Sequence, residues 1–250
     1  MTNKTNTLRT VADRDFLIGS VWEGTGEEIH VNRHYAEQSE FGGRILSGIS
    51  GMLLTIGAFD PSLIDGCPSR LEWSFNGALL EGDQIKVNGT KVENGFAIEG
   101  RVGESAGGRP TTCGSIFFGE LARLDPFDGR ATRGRTFTAA DIDLFRSWFP
   151  STQSSPDKLV PWPMLVLLAS GLISRSGYLG HHELTLNRGY TWTFSGLPEV
   201  DDTLHCVHSP VRTRVSNNRP DLNVGSYDVN VVSSVSGRVF ATADWTVMFR

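Results

Sequence analysis

The 250-residue sequence has little cysteine and no strong excess of charge. Cys67, Cys113 and Cys206 lie far apart, form no C-x-x-C pair, and are odd in number, which argues against a disulfide framework. A reducing, cytoplasmic setting fits that usage. The net charge of −5 argues against the basic face that a nucleic-acid binder carries. Long hydrophobic runs are missing too. The most apolar stretch, LVPWPMLVLLASGLI (159–173), is short for a membrane span and carries two early prolines, so it reads as a buried helix. The opening MTNKTNTLRT is polar and lacks the apolar centre of a signal peptide. Several chemical motifs are absent as well. SGISG (47–51) is not the G-x-S-x-G nucleophile elbow, and GTGEEI lacks the dinucleotide-binding pattern, so no cofactor is expected. His205 and His208 have a metal-like spacing, but in a strand they would face opposite sides.

What is present is an internal repeat. LEWSFNGALLEGDQI (71–85) aligns with YTWTFSGLPEVDDTL (190–204) at an offset of 119 residues. The alignment pairs Trp73 with Trp192, Phe75 with Phe194, Gly77 with Gly196 and Asp83 with Asp202. RTVADRDFL (9–17) likewise resembles RTFTAADIDLF (135–145). Two copies of one unit are predicted, over 8–124 and 134–250, joined by a linker at 125–133 that is rich in charge and turn residues. Each unit reads in the same order: a short strand, a helix, a loop, a long apolar helix, then several alternating strands. In the second unit Thr138 is placed to cap the first helix, and LHCVHSPVRTRV (204–215) reads as one strand. A helix apolar nearly all round, followed by antiparallel strands, implies an α+β fold with the sheet wrapped about that helix.

The segment GEEIHVNRHYAE (26–37), followed by FGGRILSG (41–48), carries the chemistry. It resembles the MaoC-like hydratase/dehydratase branch of the hot-dog fold, which includes (R)-specific enoyl-CoA hydratases. That family reads G-D-x-N-P-[IL]-H-x-D-x-x-Y-A, then F-G-G-x-I-x-H-G at the start of the central helix. His30, Tyr35, Ala36, Phe41, Gly42, Gly43 and Gly48 match. The family aspartate falls on Thr25, its Asn-Pro on Glu27 and Glu28, and the histidine before the last glycine on Ser47.

The resemblance implies a double hot dog acting on an acyl thioester. It implies His30 as acid/base and the Gly48 N–H as donor to the thioester oxygen, with Glu28 or Glu27 supplying the missing carboxylate. Thr25, Ser47, Tyr35 and Phe41 would contact substrate. The partner would be a small acyl substrate on coenzyme A or a carrier protein, or a free carbonyl compound. No nucleic acid or membrane is expected, and a homodimer is allowed. The second unit departs further from the pattern, with Ser151, Pro156 and Pro163 at the chemical positions. It is expected to shape the pocket without contributing catalysis. Two other functions stay open: an isomerase or cyclase using His30 without water activation, and a non-catalytic acyl-binding subunit. His34, His181 and His182 read as solvated.

Overall fold

The computed structural model describes residues 4–24, 27–103, 108–149, 158–178, 182 and 184–250. The first repeat begins with β1 (Lys4–Thr10), a 3-10 turn (Asp13–Asp15), α1 (Phe16–Ile18) and a π-helical turn (Gly19–Glu23). Then come α2 (Glu28–Val31), α3 (Arg33–Glu37), α4 (Gly48–Phe59) and α5 (Ser62–Asp65). Strands β2 (Arg70–Phe75), β3 (Gln84–Val92), β4 (Gly95–Val102) and β5 (Arg109–Phe117) close it. The second repeat holds β6 (Arg130–Ala131), β7 (Arg135–Thr136), α6 (Ala139–Trp148) and α7 (Trp162–Arg175). It ends with β8 (Thr185–Phe194), β9 (Thr203–His208), β10 (Arg212–Val215), β11 (Asn223–Ser233) and β12 (Val239–Phe249).

Among the described residues the strands form one twelve-stranded sheet in the order β1-β3-β4-β5-β2-β8-β12-β11-β9-β6, with β10 on β11 and β7 on β9. The two halves have the same internal order and meet at β2 and β8, which pair antiparallel. Leu71 faces Trp192 and Trp73 faces Tyr190 across that seam. The 119-residue offset equates Leu71 with Tyr190 and Trp73 with Trp192, so each facing pair is the other's counterpart, as a local twofold between the two equivalent strands requires. The sheet wraps the two long helices. On α4, Ile49 to Ile56 are buried throughout, and on α7 so are Trp162 to Ile173. A single apolar core runs across both, including Trp22, Trp162, Trp192 and Trp245. Pro163 is tolerated because it sits in the first turn of α7, where no intrahelical acceptor is lost.

Three expectations change. The linker is partly sheet: Arg130 and Ala131 pair with His208 and Val207 at the edge. LHCVHSPVRTRV is two strands, β9 and β10, because Pro210 has no N–H for the ladder. The first helix is not regular α but changes from 3-10 to α to π pitch before Gly24 ends it at φ +63°. Thr138 does cap α6: its Oγ1 accepts from the Asp141 N–H at 3.3 Å, and the Asp141 carboxylate accepts the Thr138 N–H at 2.9 Å.

Candidate active site

The approach to α4 is built from local rules. Asn32 caps α3 by accepting the Tyr35 N–H at 3.2 Å. Gly42 takes a left-handed φ of +67°, which a side chain would oppose, and turns the chain toward Ile45. Arg44 anchors that turn by pairing with Glu81 at 2.7 Å and with Asp13, its guanidinium 4.4 Å from the centre of the Phe16 ring. Ser47 then caps α4 by accepting the Ser50 N–H at 3.3 Å. Gly48 is the first helical residue, so its N–H has no intrahelical acceptor and lies at the positive end of the helix dipole.

His30 reaches this helix start from α2. Its Nδ1 lies 2.7 Å from the Ile45 carbonyl. A carbonyl can only accept, so Nδ1 carries the hydrogen and Nε2 holds the lone pair in the neutral ring. Glu27 Oε2 is 3.4 Å from Nε2. Burial pulls the His30 pKa down, but the Glu27 carboxylate, the Ile45 carbonyl and the charge of Glu23 outweigh it and leave the pKa above the ordinary value.

Glu23 is the residue that sequence reasoning missed. It ends the π-helical turn, is 1% exposed, and has one carboxyl oxygen, Oε2, without a hydrogen-bond partner among the described residues. Burial raises its pKa, while hydrogen bonds with Ser170 and Ser47 and the charge of His30 act in the other direction. An orphaned carboxyl oxygen in the interior costs free energy unless a ligand or water meets it.

The second repeat fixes Glu23 in place. Arg175 on α7 donates to the Glu23 carbonyl at 3.0 Å and the Gly24 carbonyl at 3.1 Å. Arg135 donates to the carbonyls of Val21 at 3.2 Å and Trp22 at 3.0 Å. Gly171 allows the close approach: a Cβ there would lie 1.5 Å from the Glu23 carbonyl oxygen.

Glu23, His30, Ser47 and Gly48 line one cavity of about 280 Å³, at the lower end of the usual ligand-pocket range. Phe75, Leu79 and Met248 give it apolar walls, and Arg188 and Arg219 also line it. Phe41 and Glu27 also line it. Two expected residues do not. Glu28 is exposed and lines a separate outer depression, because the helical turn of α2 puts it away from the His30 side. Tyr35 is 45% exposed on α3 and lines that same depression. Thr25, Ser151, Pro156 and His181 lie outside the described residues. His34 is exposed and bonds Gln38 at 3.1 Å. His205 is half-buried, with Nδ1 2.9 Å from Ser234 Oγ, whereas His208 is buried.

No protein-family model matches the sequence, and no curated protein sequence matches it. Solved structures do match. A MaoC-domain dehydratase from Chloroflexus aurantiacus superposes with a TM-score of 0.71 at 10% identity, covering 99% of this chain and 94% of that one. A Mycobacterium tuberculosis protein described as having a double hot-dog fold gives 0.68 at 10% identity, over 97% and 94%. The chain has the double hot-dog fold. A 12:0-ACP thioesterase from Umbellularia californica has the same architecture, with a TM-score of 0.59 at 13% identity over 98% and 94%. No helix among the described residues is long and apolar enough to cross a membrane.

Proposed function

We propose that the protein is a hydratase or dehydratase of acyl thioesters, with one active site in the first repeat, built from Glu23, His30 and the start of α4. The observation that carries this reading is the buried Glu23 carboxyl with an unpartnered oxygen, in one cavity with the His30 ring and the Gly48 N–H. Hydration of an enoyl thioester needs three things: a proton taken from water, a proton given to the α carbon, and stabilisation of the enolate oxygen formed between them. In this reading His30 Nε2 takes the proton from water as hydroxide bonds to the β carbon. Glu23, whose burial favours the protonated form, gives its proton to the α carbon. The Gly48 N–H and the helix dipole stabilise the oxygen; one such donor contributes about 3 kcal/mol. A proton passing from His30 to Glu23 restores the starting state, and dehydration runs the same steps backwards.

The names of the similar dehydratases support this class of reaction, and the placement of Glu23 supplies the carboxylate that the motif lacks at Thr25. That placement weakens the case for an isomerase or cyclase relying on His30 alone. The substrate arrives on coenzyme A or a carrier protein.

The test is turnover of short- and medium-chain enoyl and 3-hydroxyacyl coenzyme A thioesters by the wild-type protein and by His30→Ala. Wild-type hydration that falls roughly 10²- to 10⁴-fold in the variant is expected. Hydrolysis of the thioester in place of hydration, or full activity of His30→Ala, would remove the proposed reaction.

A further inference from the structure

Two phenols stand in series on the wall of this cavity, and both come from the second repeat. Tyr178 follows α7. Gly177, at φ +66°, turns the chain so that the Tyr178 ring lies 4.8 Å from the ring of Tyr227 and 5.8 Å from that of His208. Tyr227, on β11, is 1% exposed, and its hydroxyl donates to the Tyr178 hydroxyl at 3.0 Å. A phenol carries one proton. Because Tyr178 accepts the hydrogen bond from Tyr227, it keeps its own proton to donate, and both residues line the cavity. Burial pushes the Tyr178 pKa up to about 12 against the hydrogen bond from Tyr227, with the charge of Glu27 adding to the rise, so the group is a neutral donor at physiological pH.

Its surroundings indicate which substrate oxygen it would meet. Ser170, Ser174 and Tyr178 all line the cavity and recur every four residues, so one side of α7 and its C-terminal turn presents a row of hydroxyls. The row starts at Ser170, beside Glu23. Its far end, Tyr178, lines the same cavity as Glu27 and His30, and Glu27 sits 3.4 Å from His30 Nε2. Tyr178 thus faces the same cavity as the lone-pair nitrogen of His30, the nitrogen that the proposed reaction uses on water. The substrate carbonyl belongs elsewhere, at the N-terminus of α4.

We propose that Tyr178 donates a hydrogen bond to the carbinol oxygen of the substrate, the oxygen that arrives as water in hydration and departs as water in dehydration. Tyr227 is a positioning residue that acts through it. This rests on the hydratase reading and adds a contact from the second repeat to the reacting atoms.

Binding in a His30→Ala background, where turnover is removed, tests it. Matched 3-hydroxyacyl and saturated acyl coenzyme A thioesters of short and medium chain are titrated by calorimetry. The parent protein prefers the hydroxylated ligand. Adding Tyr178→Phe lowers that preference roughly 2- to 10-fold and leaves the saturated ligand nearly unaffected. Adding Tyr227→Phe lowers it less. A merely structural role would weaken both ligands equally, and that result, or an unchanged preference, overturns the inference while leaving wild-type turnover and the hydratase reading intact. If the wild-type protein turns over none of these thioesters and His30→Ala binds none, both fall together.

Discussion

The two central helices are entered with the same backbone conformation, φ −57° at both Ser47 and Pro161, but carry opposite side chains at their starts. Helix α4 begins Ser47-Gly48 and α7 begins Pro161-Trp162. In the first repeat Phe75 packs over the start of α4, so close that a Cβ on Gly48 would lie 3.1 Å from its ring, and a cavity remains beside it. In the second repeat the equivalent Phe194 meets Trp162 edge-on at 6.1 Å. Trp162 is fully buried, and its Nε1 donates to the Leu63 carbonyl of the other repeat at 3.0 Å. One start is left open by a glycine and the other is filled by the largest side chain available. The filled half is not idle. Gly171, Arg175 and Arg135 hold the backbone that carries Glu23, and Ser170 touches its carboxyl.

Emptying the filled half is the strongest way to break this contrast. Trp162→Ala removes a fully buried indole at the junction of the repeats and is expected to cost about 3–5 kcal/mol in urea denaturation. The surviving folded protein should keep the activity of the His30 site, since Trp162 does not line that cavity. Loss of activity in fully folded Trp162→Ala would show that the two helix starts are coupled.

A smaller loss of stability with a larger loss of function is expected from Gly171→Ala. The added methyl meets a backbone carbonyl that cannot rotate away, so α7 and the π-helical turn must separate. A cost of about 3 kcal/mol is expected. Glu23 should be displaced with its backbone, so turnover falls toward that of a Glu23 variant. Unchanged turnover would show that the contact does not position the carboxyl.

The smallest effect is a pH slope. Glu23 and His30 both have folded-state pKa values above their ordinary ones. At these two groups the folded state therefore holds more protons than the unfolded chain. Stability from His30 is present below its unfolded pKa of about 6.5 and is lost as pH rises through the folded value. For Glu23 the unfolded chain ionises first, near pH 4.3, so stability falls from there upward as well. Wild-type stability should therefore fall relative to Glu23→Gln as pH rises above about 4.3, by no more than about 1.4 kcal/mol per pH unit and only until the folded Glu23 ionises. Parallel curves for the two proteins would show that Glu23 titrates normally.

Much of the architecture was legible in the sequence. The offset between LEWSF and YTWTF predicted two copies of one unit; that these equivalent strands pair with each other at the centre of the sheet is seen only in the fold. The F-G-G turn and the small residues around Gly48 marked the open helix start. The carboxylate was not legible by motif, because a register counted back from His30 assumes a regular loop, and here a π-pitch turn ends at Glu23. A weaker signal existed. Phe16, Gly19 and Glu23 fall on one helical face and all three are buried, so an acid stood in an apolar stripe. Tyr178 and Ser170 could not be found from the first repeat at all, since they approach from the other half of the chain. Glu28 drew attention because it is close to His30 in sequence, and α2 turns it outward.

The central claim is that the acid/base partner of His30 is Glu23 and not Glu28. The direct measurement is the turnover number of Glu23→Gln beside Glu28→Gln, on the best thioester found for the wild-type protein. Glutamine keeps the shape of the side chain and removes the proton transfer. The account predicts a loss of roughly 10²- to 10⁴-fold for Glu23→Gln and near-normal turnover for Glu28→Gln. Near-normal turnover of Glu23→Gln with the protein folded would contradict it.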